Sequence, residues 1–169
     1  MNSSLGQSST GHQLAMGLRR AYMALHRFTN ACLVDCGLTA DQFVVLASIA
    51  EHGPMTQTEL TQRTFSDPNT ISAMLSLLHD LGCVARKRHK TDGRVRVVSL
   101  TRRGRTMFNK CSMATDEIRQ RLARELEAGN LDQFIASLNG VAELLQNPNS
   151  TSQEVESMTH NQQIRDMTK

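Results

Sequence analysis

The sequence predicts a mainly α-helical fold that contains one small β-hairpin. Apolar residues recur at spacings of three and four over most of the 169-residue chain, which is the period of helices with one buried face. The period changes to two over residues 83–100, on both sides of Asp92-Gly93. Two segments in the first half begin with the same helix-capping pattern. Together these observations predict a helical core interrupted once by a two-stranded hairpin.

Composition excludes several classes of protein. With 39% hydrophobic residues the chain can bury a core, which excludes wholesale disorder. No segment approaches the roughly 18 consecutive apolar residues of a membrane-spanning helix. Residues 1–11 lack the basic and apolar regions of a signal peptide. We therefore expect a cytoplasmic protein that does not bind membranes, with a flexible N-terminal tail over residues 1–11.

Residues 12–36 are expected to form one long helix, because a single apolar stripe runs along them and Gly37 ends it. The stripe consists of Leu14, Leu18, Tyr22, Leu25, Phe28 and Cys32.

The next two helices begin with capping boxes, in which a threonine and an amide or acid three residues later bond each other's backbone N–H groups. Thr39 pairs in this way with Gln42, and Thr56 pairs with Glu59. The predicted helices run to about residues 52 and 64.

A third helix is expected from Asp67 to Leu81. Asp67 is a good N-cap, and Pro68 stands at the first helical position, where its missing N–H is no disadvantage. Strands follow over residues 83–88 and 94–100. Thr101 then caps a long helix to about residue 126, and a last helix runs from Asn130 to about Gln146. Residues 147–169 are expected to form a polar C-terminal tail.

Charge is concentrated in one short part of the chain. The formal net charge is only +3, but residues 86–105 hold nine basic residues and one acid, so this segment carries +8. The remaining 10 basic and 15 acidic residues leave −5 on the rest of the chain. A basic segment on an acidic body indicates nucleic acid as a partner. Because the segment has no Phe, Tyr or Trp to stack on bases, duplex DNA is favoured over a single strand.

Two short capped helices followed by a basic hairpin is the order of a winged helix-turn-helix, whose second helix enters the major groove. The helix that begins at Asp67 has an apolar side and a side of small polar or methyl-bearing residues. Such side chains suit base edges, thymine methyls and phosphates. The expected DNA contacts on this helix are Pro68, Asn69, Thr70, Ser72, Ala73 and Ser76.

The hairpin, or wing, supplies a second group of expected DNA contacts, namely Arg86, Arg88, Lys90, Asp92, Arg94 and Arg96. Arg94 is placed to enter the minor groove, with Asp92 orienting it; the alternative is a solvated hairpin charge. A further three arginines lie in the first turn of the next helix, where cations are unfavourable. DNA contact and simple solvation are both open for Arg102, Arg103 and Arg105.

These residues carry a resemblance to the MarR family of bacterial transcription regulators over roughly residues 12–146. The segment DGRVRVVSLTRRG at residues 92–104 is similar to the family's wing pattern, D-x-R, a strand and L-T-x-x-G. LTADQFVVL at 38–46 and TIS at 70–72 resemble its second-helix opening and recognition helix. Family members often carry a basic residue at Ala73 and Leu77, so guanine readout by this helix is not expected here.

The resemblance implies a homodimer built by residues 12–36 and 101–146, with winged modules over 38–100 that read a near-palindromic operator. It also implies a repressor whose DNA binding a small phenolic or aromatic effector modulates. Arg19, Tyr22 and His26 could line such an effector pocket; interface packing and surface solvation are the alternative. A winged module that binds DNA without sequence preference, or binds protein, is the alternative function.

No metal, other cofactor or enzymatic activity is expected. The cysteines show no zinc-binding spacing, the six histidines are scattered, and no phosphate loop, G-x-S-x-G or H-E-x-x-H motif is present. Reduced core thiols are the main interpretation of Cys32, Cys36, Cys83 and Cys111. A thiol-based redox-sensing regulator is the least favoured alternative.

Overall fold

The computed structural model describes residues 3–88, 96–125 and 130–146. The chain divides into two compact units, Met1–Ile118 and Arg119–Lys169. In chain order the elements are α1 Ser3–Leu33, a 3₁₀ turn Val34–Cys36, α2 Ala40–His52, β1 Met55–Thr56, α3 Gln57–Thr64, α4 Pro68–Asp80, β2 Val84–Arg88, β3 Arg96–Leu100, α5 Arg102–Ala114, α6 Asp116–Glu125 and α7 Leu131–Gln146.

Both predicted capping boxes are confirmed. The Thr39 hydroxyl accepts the N–H of Gln42 at 3.2 Å, and the Gln42 side chain accepts the N–H of Thr39 at 2.9 Å. Thr56 and Glu59 make the same reciprocal pair at the start of α3. Because each box satisfies N–H groups that the helix cannot, the starts of α2 and α3 are fixed locally.

The first and fifth helices differ from the prediction. Helix α1 begins at Ser3, whereas the sequence predicts a helix only from residue 12. No proline interrupts this segment, and extending an existing helix adds one hydrogen bond per residue. The helix expected from Thr101 to about residue 126 is divided at Thr115. The buried Thr115 hydroxyl donates to the carbonyl of Cys111 at 2.9 Å, which competes with regular helix geometry.

The sheet has the order β1-β3-β2 and is antiparallel throughout. The hairpin is confirmed, with Val84 opposite Leu100 and Arg88 opposite Arg96. Its turn, expected near Asp92-Gly93, lies outside the described residues. Strand β1 was not expected, because a two-residue strand is too short to show a period of two. Its Met55 is buried and pairs with Val98.

The core of the first unit lies between the helices and the sheet. Side chains from the end of α1, from α2, α3, α4, α5 and from all three strands meet there, including Leu33, Val45, Leu46, Ile49, Leu60, Ile71, Leu75, Leu78, Val84 and Val98. At its margin the rings of Phe43 and Phe108 stack with centroids 6.0 Å apart and join α2 to α5. The hairpin is therefore anchored in the core at its base.

Gly104 explains the spacing of the L-T-x-x-G segment. A Cβ at this position would lie 1.9 Å from the carbonyl oxygen of Cys83, so only glycine lets α5 start this close to β2. Thr101 completes the junction. Its hydroxyl accepts the N–H of Gly104 at 2.9 Å and donates to the carbonyl of Gly82 at 2.6 Å. The motif therefore fixes where α5 begins relative to the base of the hairpin.

Within the described residues, no single helix is long and apolar enough to span a membrane. One pair of helical segments, Thr10–Cys36 and Ala40–His52, meets the criterion jointly but is bent by 81°. In the second of these segments Val45, Leu46 and Ile49 face the protein core.

Candidate nucleic-acid interface

The start of α4 is held by the predicted N-cap, Asp67. One carboxylate oxygen accepts the N–H groups of Asn69 at 3.0 Å and Thr70 at 2.9 Å, and the other accepts the Thr70 hydroxyl. These bonds, the Thr70 hydroxyl first, lower the pKa of Asp67. The Thr70 hydroxyl is thus committed to the cap as a donor. The groups of the Thr70 side chain that are left for DNA are its methyl group and the remaining acceptor capacity of its hydroxyl oxygen.

Sequence reasoning missed Gln57 as a positioning residue for this helix. Its amide Nε2 donates to the carbonyl of Pro68 at 3.2 Å and ties the start of α3 to the start of α4. A polar residue in the first turn of α3 gave no signal of this contact, because its partner is on a different helix.

Helix α4 has the two sides that the sequence predicts. Its buried side packs into the core, whereas all six predicted contact residues, Pro68, Asn69, Thr70, Ser72, Ala73 and Ser76, are exposed. Leu77 also lies on the exposed side, with 53% of its surface accessible.

The hairpin places three predicted contact residues on one face. Arg86, Arg88 and Arg96 continue the face that begins with buried Val84 and Val98, because alternate residues share a face and Arg88 is directly opposite Arg96. Arg88 and Arg96 are exposed. Like charges directly opposite each other destabilise a strand pair. Lys90, Asp92 and Arg94 lie outside the described residues, so their contacts stay predictions.

The arginines of α5 lie at the other end of the hairpin. The Arg103 side chain lies beside Gly82. Its Cδ is 3.6 Å from the position that a Cβ would take at residue 82. Arg102 and Arg105 are exposed in the same turn. The basic segment therefore splits into a group on the hairpin and a group beside its base.

The predicted effector residues lie along α1, where His26 takes part in a polar network. Its Nε2 lies 3.2 Å from a carboxylate oxygen of Asp41, and its Nδ1 lies 3.1 Å from the Asn30 amide nitrogen. The Asn30 oxygen accepts the N–H of Ala40 at 2.8 Å, which fixes the amide orientation. Nδ1 must then accept and Nε2 donate. The network joins α1 to the first turn of α2.

Of the other two effector candidates, only Tyr22 approaches His26. The two ring centroids are 5.7 Å apart. Arg19 and Tyr22 are exposed one helical turn apart on α1. The geometry thus brings together two of the three predicted effector residues and assigns His26 a structural contact as well.

The four cysteines are free thiols, and only Cys32 is not buried. Burial, with a hydrogen bond to Cys36, raises the pKa of Cys111 to about 12. Burial also raises the pKa of Cys83, partly offset by the charge of Arg103. Thiols with raised pKa values are poor nucleophiles, so these features favour the interpretation as core residues. Among the described residues, no group of three or more His, Cys, Asp or Glu is arranged to hold a metal ion.

Comparison with known proteins identifies the family. The model of the MarR family matches residues 37–95. The chain is 30% identical over 112 residues to the HTH-type transcriptional repressor NicR of Pseudomonas putida, covering 66% of this chain and 71% of NicR. The chain belongs to the MarR family.

Solved MarR-family structures share the fold. A cysteine-to-serine variant of MarR from E. coli, complexed with operator DNA, is 27% identical, with a TM-score of 0.68, covering 76% of this chain and 93% of that one. BpsR of Bordetella bronchiseptica, whose DNA binding is regulated by 6-hydroxynicotinic acid, is 25% identical, with a TM-score of 0.68, covering 77% and 98%.

The comparisons confirm three predictions for this MarR-family chain. They confirm the family resemblance and the mainly helical fold with a winged helix-turn-helix. The relatives are named as transcription regulators, which are not enzymes, so the expectation of a non-enzymatic protein is confirmed as well.

Proposed function

We propose that this protein is a homodimeric transcription repressor that binds a near-palindromic operator in duplex DNA with sequence specificity. The observation that carries the proposal is the position of Arg88 directly opposite Arg96, the outermost described pair of the hairpin. This arrangement destabilises an isolated strand pair, whereas a phosphate backbone turns it into two favourable contacts. The exposed small side chains of α4 supply the groups that can reach base edges.

The relatives support both the target and the sign of the regulation. The MarR variant is complexed with operator DNA, and NicR is named a repressor.

Exposed apolar residues on the terminal helices support the dimer. Helix α1 exposes Leu14, Met16, Tyr22, Met23, Leu25 and Phe28, and helix α7 exposes Phe134, Ile135, Leu138, Leu144 and Leu145. Rows of large apolar side chains on a folded protein mark a surface that a partner covers. A second copy related by two-fold symmetry would place the two α4 helices about one DNA turn, roughly 34 Å, apart.

Footprinting with the full chain tests the specific binding. We expect protection of about 15–20 base pairs with two-fold symmetry in the DNA beside its own reading frame. A scrambled duplex of the same length, measured at the same salt concentration, is the control. Equal affinity for both duplexes would contradict specific binding and favour the alternative of a non-specific module. Reporter expression with and without the protein then separates repression from activation.

The salt dependence of binding tests the wing. Arg88→Ala and Arg96→Ala should each reduce the slope of log affinity against log salt concentration by about one, because each arginine is expected to neutralise one phosphate. Arg20→Ala, an exposed arginine on α1, is the matched control and should leave the slope unchanged. A wild-type slope in both wing variants would remove these arginines from the DNA-binding surface.

The effector site of Arg19, Tyr22 and His26 is also part of the proposal. BpsR, whose DNA binding responds to an aromatic acid, and the nearby rings of Tyr22 and His26 support it. An aromatic carboxylate would pair with Arg19 and lie against the rings. We expect 6-hydroxynicotinic acid or a related acid to raise the unfolding midpoint of the wild type but not of Arg19→Ala. Equal increases of the unfolding midpoint in both proteins would show that the acid binds at a site that does not involve Arg19.

A further inference from the structure

The exposed side of α4 carries an unusual set of groups for a helix that enters the major groove. Arginine or lysine reads guanine there, whereas asparagine or glutamine reads adenine. Between Pro68 and Asp80 the helix contains no arginine, lysine or glutamine, and its single amide side chain is that of Asn69. Asn69 is exposed in the first turn, the part of such a helix that reaches base edges.

Two apolar residues follow Asn69 at steps of four along the same side of α4. Ala73 and Leu77 are both exposed, and Leu77 leaves 53% of its surface accessible. Leu77 is the largest exposed apolar side chain on this face, while Ile71, Leu75 and Leu78 fill the core on the opposite side. A groove-facing leucine gains from contact only with an apolar group, and the apolar group on major-groove base edges is the thymine methyl.

We propose that α4 reads A·T base pairs. The Asn69 amide forms hydrogen bonds with N6 and N7 of an adenine. Ala73 and Leu77, which lie nearer the C-terminus of α4, cover the methyl groups of neighbouring thymines. This inference rests on the proposed DNA-binding function and names the base composition that the site would recognise. The basic hairpin of the same module, with Arg88 opposite Arg96, favours a duplex rather than an apolar protein as the partner.

Deoxyuridine substitution tests the thymine contacts, because it removes the methyl group and keeps the base pair. The full chain first selects its binding sites from a pool of random duplexes. Each invariant thymine of the selected site is then replaced singly by deoxyuridine. We expect about fourfold weaker binding at each thymine that Ala73 or Leu77 covers, the effect of exposing one methyl group, and no change at the others.

Variants assign each contact to a residue. In Leu77→Ala the weakening on deoxyuridine substitution should disappear at one thymine and persist at the others. Asn69→Ala should relax the preference for adenine at one position. Val44→Ala, an exposed apolar residue on α2, is the matched control and should retain the full wild-type pattern. Because Leu77 and Asn69 are exposed, neither change disturbs the core.

Leu77→Arg provides a gain-of-function test. The introduced guanidinium should shift the selected site toward guanine at the position where wild type prefers thymine.

The outcomes separate this inference from the proposed function. If no sequence is enriched from the pool, both are overturned. If a sequence is enriched but its half-sites are read through G·C pairs, or deoxyuridine leaves the affinity unchanged throughout, the A·T readout is overturned and specific DNA binding stands.

Discussion

In the winged module Val45, Leu46 and Leu75 have no exposed surface, whereas on α7 Leu138 and Leu145 expose 38% and 73%. The module also fixes its helix starts with side chains from the same short segment. Thr39, Thr56 and Asp67 each cap the helix that follows them. Of the residues described in α7, none is buried.

The difference indicates how each region obtains its stability. The module combines local caps with a closed core, so its fold follows from its own residues. Helix α7 presents apolar area that the other described residues do not cover, which is what the proposed dimer requires of it. Four variants, each affecting one of the two regions, test this difference.

Gly104→Ala should have the largest effect. The added methyl group would lie 1.9 Å from the Cys83 carbonyl oxygen, and the rigid start of α5 gives it no room. We expect a decrease of about 3 kcal/mol or more in the free energy of unfolding, since overpacking a core junction costs about 1–3 kcal/mol and here the neighbour is backbone. Denaturant unfolding measures it. Near-wild-type stability would mean that the module does not depend on this close approach.

Gly17→Ala is the control for the glycine substitution. Gly17 lies in the interior of α1 with nothing within 4 Å of an added Cβ. In an isolated chain the change should stabilise the helix by about 0.5–1 kcal/mol. A decrease in stability instead would indicate that a second chain approaches α1 at Gly17.

Leu138→Glu combined with Leu145→Glu should dissociate the proposed dimer. Burying the exposed surface of these two leucines contributes about 2 kcal/mol per chain, and two-fold symmetry repeats the change on the partner. We expect the dimer Kd to rise by more than about a hundredfold. Sedimentation velocity measures it, with the helical circular dichroism retained. Val44→Glu on α2 is the matched control, and an equal effect there would place the interface on the module.

The parts of the fold that the sequence predicts best are those governed by neighbouring residues. The caps at Thr39, Thr56 and Asp67 follow from three- or four-residue patterns, and the hairpin follows from a change of period. What escaped prediction depends on residues distant in sequence. The pairing of Met55 with Val98 and the bond from Gln57 to Pro68 join separate elements, and neither leaves a periodic signal.

The same distinction holds for the candidate site. The exposed side of α4 followed from helical periodicity, and the arginines of the wing from charge. Two features could be recognised only in the folded structure. They are the hydrogen bond of the Thr70 hydroxyl to Asp67 and the position of Arg88 opposite Arg96. The register of a strand pair cannot be read from charge alone, because a shift by one residue exchanges the faces.

Phe65→Gly should stabilise the module modestly. Phe65 ends α3 in the left-handed region at φ 52°, with 64% of its surface exposed. That conformation destabilises a residue with a Cβ by about 1–2 kcal/mol. Glycine removes this strain, but its greater conformational freedom also stabilises the unfolded chain, which offsets part of the effect. We expect the free energy of unfolding, measured with urea, to increase by up to about 1 kcal/mol. Ser66→Gly, the control, should decrease stability. A decrease in Phe65→Gly would show that the phenylalanine ring is itself covered, as the comparison predicts only for the terminal helices.

Asp67→Asn should have the smallest effect on stability and a distinctive pH dependence. Hydrogen bonds from Thr70 and Asn69 hold the pKa of Asp67 below its ordinary value of 3.8. The carboxylate therefore adds stability that is fully present above pH 3.8 and is lost as the pH falls through the lower folded-state pKa. Asparagine keeps the cap without the charge, so the difference between wild-type and variant unfolding free energies should shrink toward low pH.

The same variant removes a negative charge beside the proposed DNA phosphates and should bind DNA more tightly at neutral pH. Unchanged affinity would place the start of α4 away from the backbone, and a pH-independent difference would show that charge contributes nothing to this cap.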